Sequence, residues 1–186
     1  MCGLCGFTGE LVDKETYLRQ MTEKIIHRGP DSDGFYTDAD IAMGFRRLSI
    51  IDLGAGDQPL YNEDKTLVLT FNGEIYNYKA LREELLEKGH IFVTESDSEV
   101  LLHGFEEWGE ELLPRLRGMF GFAIWNTEKK ELFLARDPFG IKPMHYTRLA
   151  DGRLVYGSEI KSILTHPDVK KEFNPAALDG YLSFQY

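Results

Sequence analysis

Between residues 117 and 158 the chain carries four short apolar runs, residues 119–125, 132–136, 144–147 and 154–157. Two turn-rich segments, Asn126-Thr127-Glu128-Lys129 and Ala150-Asp151-Gly152-Arg153, read as hairpin connections among them. Consecutive strands joined by short turns pair antiparallel, because a parallel pair needs a crossover of a dozen or more residues. This half of the chain is therefore committed to antiparallel sheet. The first half interleaves helices. Tyr17, Leu18, Met21, Ile25 and Ile26 recur at helical spacing over residues 14–27, and Arg28-Gly29-Pro30-Asp31 stops the run. A second helix over residues 78–88 ends at Gly89, and Ser96 with Glu99 is a capping-box signature. It opens a third helix in which Val100, Leu101, Phe105 and Trp108 can share a face. Strands are expected over residues 4–8, 41–51 and 65–72, with turns over 52–59, a short helix over 158–164 and the beginning of another over 175–186. The class is α+β.

At 186 residues, 42% of them hydrophobic, the chain can bury the core of one globular unit. A net charge of -10 repels phosphate backbones, and no basic run is longer than Arg46-Arg47, Lys129-Lys130 or Lys170-Lys171, which excludes nucleic acid as a partner. No stretch approaches the roughly 18 apolar residues of a membrane span, and the amino terminus lacks a signal-peptide pattern. Two cysteines are too few for a disulfide framework, so the expected location is the cytoplasm.

Cys2 lies between Met1 and the small Gly3, a context in which the initiator methionine is removable. Cys2 then becomes residue one, with a thiol of pKa about 8.5 and an α-amine of about 8 within reach of each other. The amine can serve as the base that activates the thiol. None of the five histidines lies in a recognisable cysteine-hydrolase motif. Cys2 could equally be an ordinary second residue. Cys2-Gly3-Leu4-Cys5 also reads formally as C-x-x-C, but there is no second cysteine pair to complete zinc, and residues three apart on a strand point to opposite faces. Cys5 is thus expected in the core. Asp31-Ser32-Asp33-Gly34 faintly resembles a calcium loop, yet it lacks the EF-hand glutamate and spacing. No metal is expected in the chain.

Three further segments are candidates for ligand contact. Arg46 and Arg47 begin an apolar strand, where alternation turns one of them inward to meet either an internal carboxylate or a ligand's. Phe71-Asn72-Gly73-Glu74 ends a strand in what reads as an Asn-Gly turn. The Asn72 amide and the Gly73 N–H could also serve as two donors to a tetrahedral oxyanion. Asp97, in the first turn of a helix, is favoured there by the macrodipole with or without a ligand.

In this order, Met1-Cys2-Gly3, His27-Arg28-Gly29-Pro30-Asp31, Arg47-Leu48-Ser49-Ile50-Ile51-Asp52, Gln58-Pro59, Phe71-Asn72-Gly73-Glu74-Ile75-Tyr76-Asn77, Ser96-Asp97, Gly118-Met119-Phe120 and Arg136-Asp137-Pro138-Phe139-Gly140-Ile141-Lys142-Pro143 resemble the class II glutamine amidotransferases. These are N-terminal-nucleophile hydrolases, and the similarity is greatest to the glutaminase domain of asparagine synthetases. The resemblance implies a four-layer αββα sandwich of two mostly antiparallel sheets with L-glutamine held between them. It implies Cys2 as nucleophile, Asn72 and Gly73 as oxyanion donors, and Arg47 on the α-carboxylate. Glu74 and Asp97 would take the α-ammonium, and backbone groups of Leu48, Ser49, Ile50 and Ile51 would lie beside the ligand. Arg28 would order the loop near the amino terminus. Phe45-Arg46 departs from relatives that carry histidine and a polar or basic residue there. Residues 1–165 would be the glutaminase domain and 166–186 a linker leading into a synthetase domain in cis. ATP and Mg are expected only in that further domain, since this chain has no Ser-Gly-Gly-x-Asp-Ser loop, and no cofactor is expected in this one. The family also leaves room for a homodimer. The alternatives are an asparagine-synthetase-like amidotransferase with another acceptor, a non-catalytic amino-acid-binding module if Met1 is retained, and a thiol-redox protein.

Overall fold

The computed structural model describes residues 1–48 and 57–185. Along them run β1 (Gly3–Thr8), α1 (Lys14–Glu23), β2 (Ser32–Thr37), β3 (Ile41–Arg47), β4 (Leu60–Tyr61), β5 (Leu67–Ile75), α2 (Tyr78–Glu87) and α3 (Asp97–Trp108). There follow β6 (Gly118–Asn126), β7 (Glu131–Arg136), β8 (His145–Arg148), β9 (Leu154–Gly157), α4 (Ile160–Ile163) and α5 (Pro175–Phe184). The strands form a five-stranded sheet of order β2-β3-β1-β9-β8 and a four-stranded sheet of order β4-β5-β6-β7. Every pairing is antiparallel.

Period-two alternation explains the layers. Leu4 of β1, Ile41, Met43 and Phe45 of β3 and Tyr156 of β9 pack against Val68, Ala123 and Trp125 of the other sheet, and this is the core between the sheets. Residues of opposite parity on the first sheet, Cys5, Phe7, Ala42 and Val155, meet Leu18 and Met21 of α1 and Ile163 of α4. Leu67, Leu69, Phe71 and Ile75 of β5 turn the other way and meet Leu81 and Leu85 of α2 and Val100 and Leu101 of α3. Two sheets each covered by helices on the outer face make the four-layer αββα sandwich. Trp125 Nε1 and the Tyr36 hydroxyl both donate to Asp38 Oδ2, at 2.8 and 3.0 Å, at the edge of the central layer.

Several elements differ from the sequence expectation. The helix expected over 14–27 closes at Glu23, and Ile26–Arg28 form a tighter 3₁₀ turn. β2 was not foreseen, because its Ser32-Asp33-Gly34 start has the composition of a turn. The strand expected over 41–51 is β3 as far as Arg47; residues 49–51 lie outside the described residues. Asn72-Gly73 is no turn, since β5 continues through both to Ile75 with Asn72 opposite Gly121 and Gly73 opposite Phe120. Glycine permits that close pairing: a Cβ at Gly73 would stand 2.4 Å from the Met119 carbonyl oxygen, and one at Gly118 would stand 2.2 Å from that of Glu74. Only half of the capping box forms. Glu99 N–H donates to Ser96 Oγ at 3.2 Å, while the Glu99 carboxylate accepts from the N–H groups of Val93 and Thr94.

Candidate active site

Cys2 leads into β1 with the parity of Leu4, so its side chain faces the space between the sheets and packs on that core. Leu48 N–H donates to Cys2 Sγ at 3.4 Å, and Sγ lies 3.8 Å from the Leu48 carbonyl oxygen. Arg28 Nε donates to the Cys2 carbonyl at 3.0 Å, and Arg28 Nη1 reaches Glu159 Oε1 at 3.2 Å. Glu159 also takes His27 at 2.8 Å and Lys161 at 3.0 Å. Partial burial opposes its charge, yet Lys161, His27 and Arg28 together bring its carboxyl down to about 2. Gly29 explains why the Arg28 loop can lie here, since a Cβ at that position would meet the Arg46 backbone at 2.4 Å. Asp31 N–H then donates to the Arg47 carbonyl at 3.1 Å, tying the loop to the end of β3. Cys5 sits on the opposite face, fully buried, and burial pushes its thiol up to about 12. It is a core residue with no thiolate to offer, and the Cys2–Cys5 disulfide is disfavoured by their opposed faces.

Alternation also separates the two arginines. Arg46 points away from the central layer, with Nη2 2.6 Å from Glu23 Oε2 and Nη1 3.2 Å from Asp33 Oδ2. Arg47 shares the parity of Phe45 and Met43 and so turns toward the other sheet. Its Nη1 lies 3.1 Å from Asp57 Oδ1, a carboxylate whose side chain is 92% exposed and so is easily exchanged for another.

Across the sandwich, Asn72 has the inward parity of Val68 on β5 and is buried. Its Nδ2 is buried and finds no acceptor among the described residues. A buried amide donor without a partner costs about 1–3 kcal/mol, so Nδ2 is a donor that an incoming acceptor could satisfy. Glu74, two residues on, is exposed on the same face. Asp97 accepts from the Ile75 N–H at 2.9 Å. Burial and then the neighbouring Glu74 charge raise the Asp97 carboxyl above its ordinary value. The two carboxylates thus repel each other across the end of β5, an arrangement that a cationic group would relieve. Of the expected site residues, the structure thus brings Cys2, Arg28 and Leu48 into one hydrogen-bonded group. Asn72 and Glu74 lie on the inward face of β5 with Asp97 beside them. Ser49, Ile50 and Ile51 lie outside the described residues.

Two contributors were not assigned roles from sequence. Gln58 stands where β4, extended back in register, would face Phe71. Its side-chain amide accepts from the Phe71 N–H at 2.5 Å and donates to the Phe71 carbonyl at 3.1 Å, fixing the backbone beside Asn72. The other is Glu159, which braces Arg28. A glutamine 13 residues from its target and a glutamate 131 residues from its own have no local pattern to reveal them.

A conspicuous motif, residues 136–143, turns out to be internal scaffolding. Asp137 accepts four backbone N–H groups, from Phe120 and Lys142 on Oδ2 and from Phe139 and Ile141 on Oδ1. Burial raises its carboxyl, but these donors outweigh burial and hold it below the ordinary range.

A family model described as a glutamine amidotransferase domain matches residues 1–186. This chain belongs to that family. Asparagine synthetase [glutamine-hydrolyzing] 1 of Bacillus subtilis is 48% identical over 98% of this amidotransferase domain, and asparagine synthetase [glutamine-hydrolyzing] 2 of the same organism is 44% identical over 94%. The chain spans 30% and 24% of the length of those two relatives. Among solved structures, the glutamine phosphoribosylpyrophosphate amidotransferase of B. subtilis superposes with a TM-score of 0.72 at 22% identity, over 88% of this chain and 43% of that one. This likeness shows a shared fold, the two-sheet sandwich described above. No helix among the described residues is long and apolar enough to cross a membrane.

Proposed function

We propose that Cys2, once Met1 has been removed, hydrolyses L-glutamine to L-glutamate and ammonia. The observation that carries the reading is the buried Asn72 Nδ2, which has no acceptor among the described residues and faces the layer into which Cys2 and Arg47 also turn. With Met1 in place the Cys2 nitrogen is an amide; removal of Met1 frees it as the amine that serves as general base. Glutamine would lie with its α-carboxylate on Arg47, its α-ammonium between Glu74 and Asp97, and backbone of the Leu48–Ile51 stretch alongside. The Cys2 thiolate attacks the side-chain amide carbon, and the oxyanion takes hydrogen bonds from Asn72 Nδ2 and Gly73 N–H. Collapse breaks the C–N bond, and ammonia leaves with the proton held by the Cys2 α-ammonium. Water, deprotonated by the same amine, then attacks the thioester, releasing glutamate and restoring the thiol. No metal or cofactor enters these steps.

In the whole protein the ammonia would pass to a synthetase domain in cis, where ATP and Mg support conversion of aspartate to asparagine in the cytoplasm, with residues 166–186 as the connection. The test is Cys2→Ala in the processed protein: glutamine hydrolysis should vanish while the circular dichroism spectrum stays unchanged. Retention of activity would overturn the assignment.

A further inference from the structure

Away from Cys2, on the outer face of the second sheet, lies the one cluster of three or more histidine, cysteine or carboxylate side chains among the described residues with spacing for a metal ion: His90, His103 and Glu106. We propose that it is a structural site for a borderline divalent transition-metal cation of the zinc type, with Glu63 as fourth ligand.

The distances carry the proposal. One ligand atom from each of His90, His103 and Glu106 lies within 4.8 Å of the other two. His103 Nδ1 is 3.3 Å from Glu106 Oε2 and 3.8 Å from Glu63 Oε2, and His90 Nδ1 is 3.8 Å from Glu106 Oε2. Separations of 3.8 Å are too long for hydrogen bonds. Two ligands each about 2.0–2.2 Å from a shared tetrahedral zinc ion stand about 3.3–3.6 Å apart, so the 3.3 Å pair fits directly and the two 3.8 Å pairs need shifts of only about 0.2 Å by the partly exposed Glu63 and Glu106 carboxylates. Nitrogen and oxygen donors select zinc and its neighbours over magnesium or calcium.

The outer shell is built in the same sense. Each histidine presents Nδ1 to the cluster, and His90 Nε2 is hydrogen-bonded to a further carboxylate, Glu107 Oε2, at 3.4 Å; His103 Nε2 faces Glu99 Oε1 at 3.8 Å, beyond hydrogen-bond reach. A carboxylate behind a ligating imidazole fixes its orientation and raises its basicity. Glu99 is itself held by the Val93 and Thr94 N–H groups and the Thr94 hydroxyl. Asn62 Nδ2 donates to Glu106 Oε1 at 3.2 Å, which leaves Oε2 for the ion. Lys88, which lines the same cavity, is drawn off by Glu107 Oε1 at 2.8 Å. His103 is 3% exposed, and the other ligands open on a cavity of about 330 Å³ lined by Glu63, Lys88, His90 and Glu106, which gives the ion an entry path. A bound ion would cross-link the segment before β5, the segment after α2, and α3, pinning the outer helical layer to the sheet that carries Asn72.

The test uses the full chain as Cys2→Ala, which removes the one partly exposed thiol, stripped with a chelator and titrated with zinc chloride against a chromophoric competitor. One equivalent should bind, the thermal midpoint should rise, and cobalt(II) should give the visible spectrum of a four-coordinate nitrogen–oxygen site. His90→Ala and Glu106→Gln should each weaken zinc at least tenfold, and Asn62→Ala by about tenfold. Less than one equivalent at micromolar zinc would overturn the proposal, as would unchanged affinity in the double variant His90→Ala/Glu106→Gln. Should those variants not fold, ¹⁵N shifts of the His90 and His103 rings in the Cys2→Ala parent decide it: movement of both on adding zinc supports the site, and movement of neither refutes it. Glutamine turnover is not measured, so the outcome stands apart from the glutaminase reading.

Discussion

Two polar regions of the molecule are built from equally distinctive sequence, and they treat their hydrogen-bonding groups in opposite ways. In the 136–143 loop the carboxylate and the guanidinium are satisfied at home. Asp137 takes four N–H donors, and Arg136 gives Nε to the Lys142 carbonyl at 2.8 Å and Nη2 to that of Gly140 at 2.6 Å. Around Cys2 and Asn72 the groups remain available. Asn72 Nδ2 and Arg28 Nη2 are buried without an acceptor among the described residues, and Asp97 is set beside another carboxylate. A satisfied network stabilises the fold, whereas an incomplete one is tolerated where something else completes it. Among the described residues unmet groups also occur elsewhere, at Arg82 Nε and His166 Nε2, but only around Cys2 and Asn72 do they coincide with the family's motifs.

The largest effect expected from this contrast is on stability. Asp137→Ala removes an acceptor from four buried or partly buried N–H groups and should cost about 4 kcal/mol or more in urea unfolding, enough to unfold a marginal domain. A loss below about 1 kcal/mol would break the comparison. Asn72→Ala should do the reverse. It removes a donor that has no partner, so the unfolding midpoint should move little, while kcat for glutamine falls about 10²–10³-fold, on the order of 3–4 kcal/mol. If Asn72→Ala unfolds the protein and leaves the turnover of the folded fraction intact, Asn72 belongs with Asp137 as scaffolding.

The sheets were legible in the sequence for a physical reason: period-two alternation is a local property, and β6, β7, β8 and β9 fall within a residue or two of where the apolar runs place them. Asn72-Gly73 reads as a turn because the dipeptide is a strong local turn signal, while the pressure to stay extended comes from its partners Gly121 and Phe120 on β6, nearly fifty residues away in the chain. Inward against outward at Arg46 and Arg47 needed the register of β3, since alternation says only that one of the two turns in. Gln58 and Glu159 were silent because a side chain that braces a distant backbone leaves no periodic trace. That Cys2 faces the same layer as Asn72 is a tertiary fact, carried by β1 and β5 facing each other across the sandwich.

The arginine pair offers a smaller test of the same contrast. Arg46 is met by Glu23 and Asp33 on the outer side, whereas Arg47 turns inward and holds the exposed Asp57. Arg47→Ala should raise the KM for glutamine at least tenfold, about 1.4 kcal/mol or more, with a smaller change in kcat. Arg46→Ala should leave KM within about twofold and cost about 1 kcal/mol of stability. Equal KM effects would mean that alternation does not divide their roles.

The smallest effect belongs to the boundary between the two kinds of network. Glu159 is fully engaged, yet the Arg28 it holds reaches the Cys2 carbonyl. Its carboxyl is depressed to about 2 in the fold from a reference of 4.5. A depressed carboxylate contributes stability that is fully present above its unfolded value and is lost as pH falls toward the folded one. Glu159→Gln should therefore differ from the parent most at pH 7, and the gap should close between about pH 4.5 and pH 2. Its side chain is a quarter exposed, so solvent screening reduces the gap at pH 7 to about 1 kcal/mol. Urea titrations at pH 7, 4 and 2.5 measure it. A gap that persists unchanged at pH 2.5 would place the stabilisation in side-chain shape rather than charge. Glu159 would then brace the amino terminus by packing, as a scaffold residue does, and the charge network around Arg28 would have no part in holding Cys2.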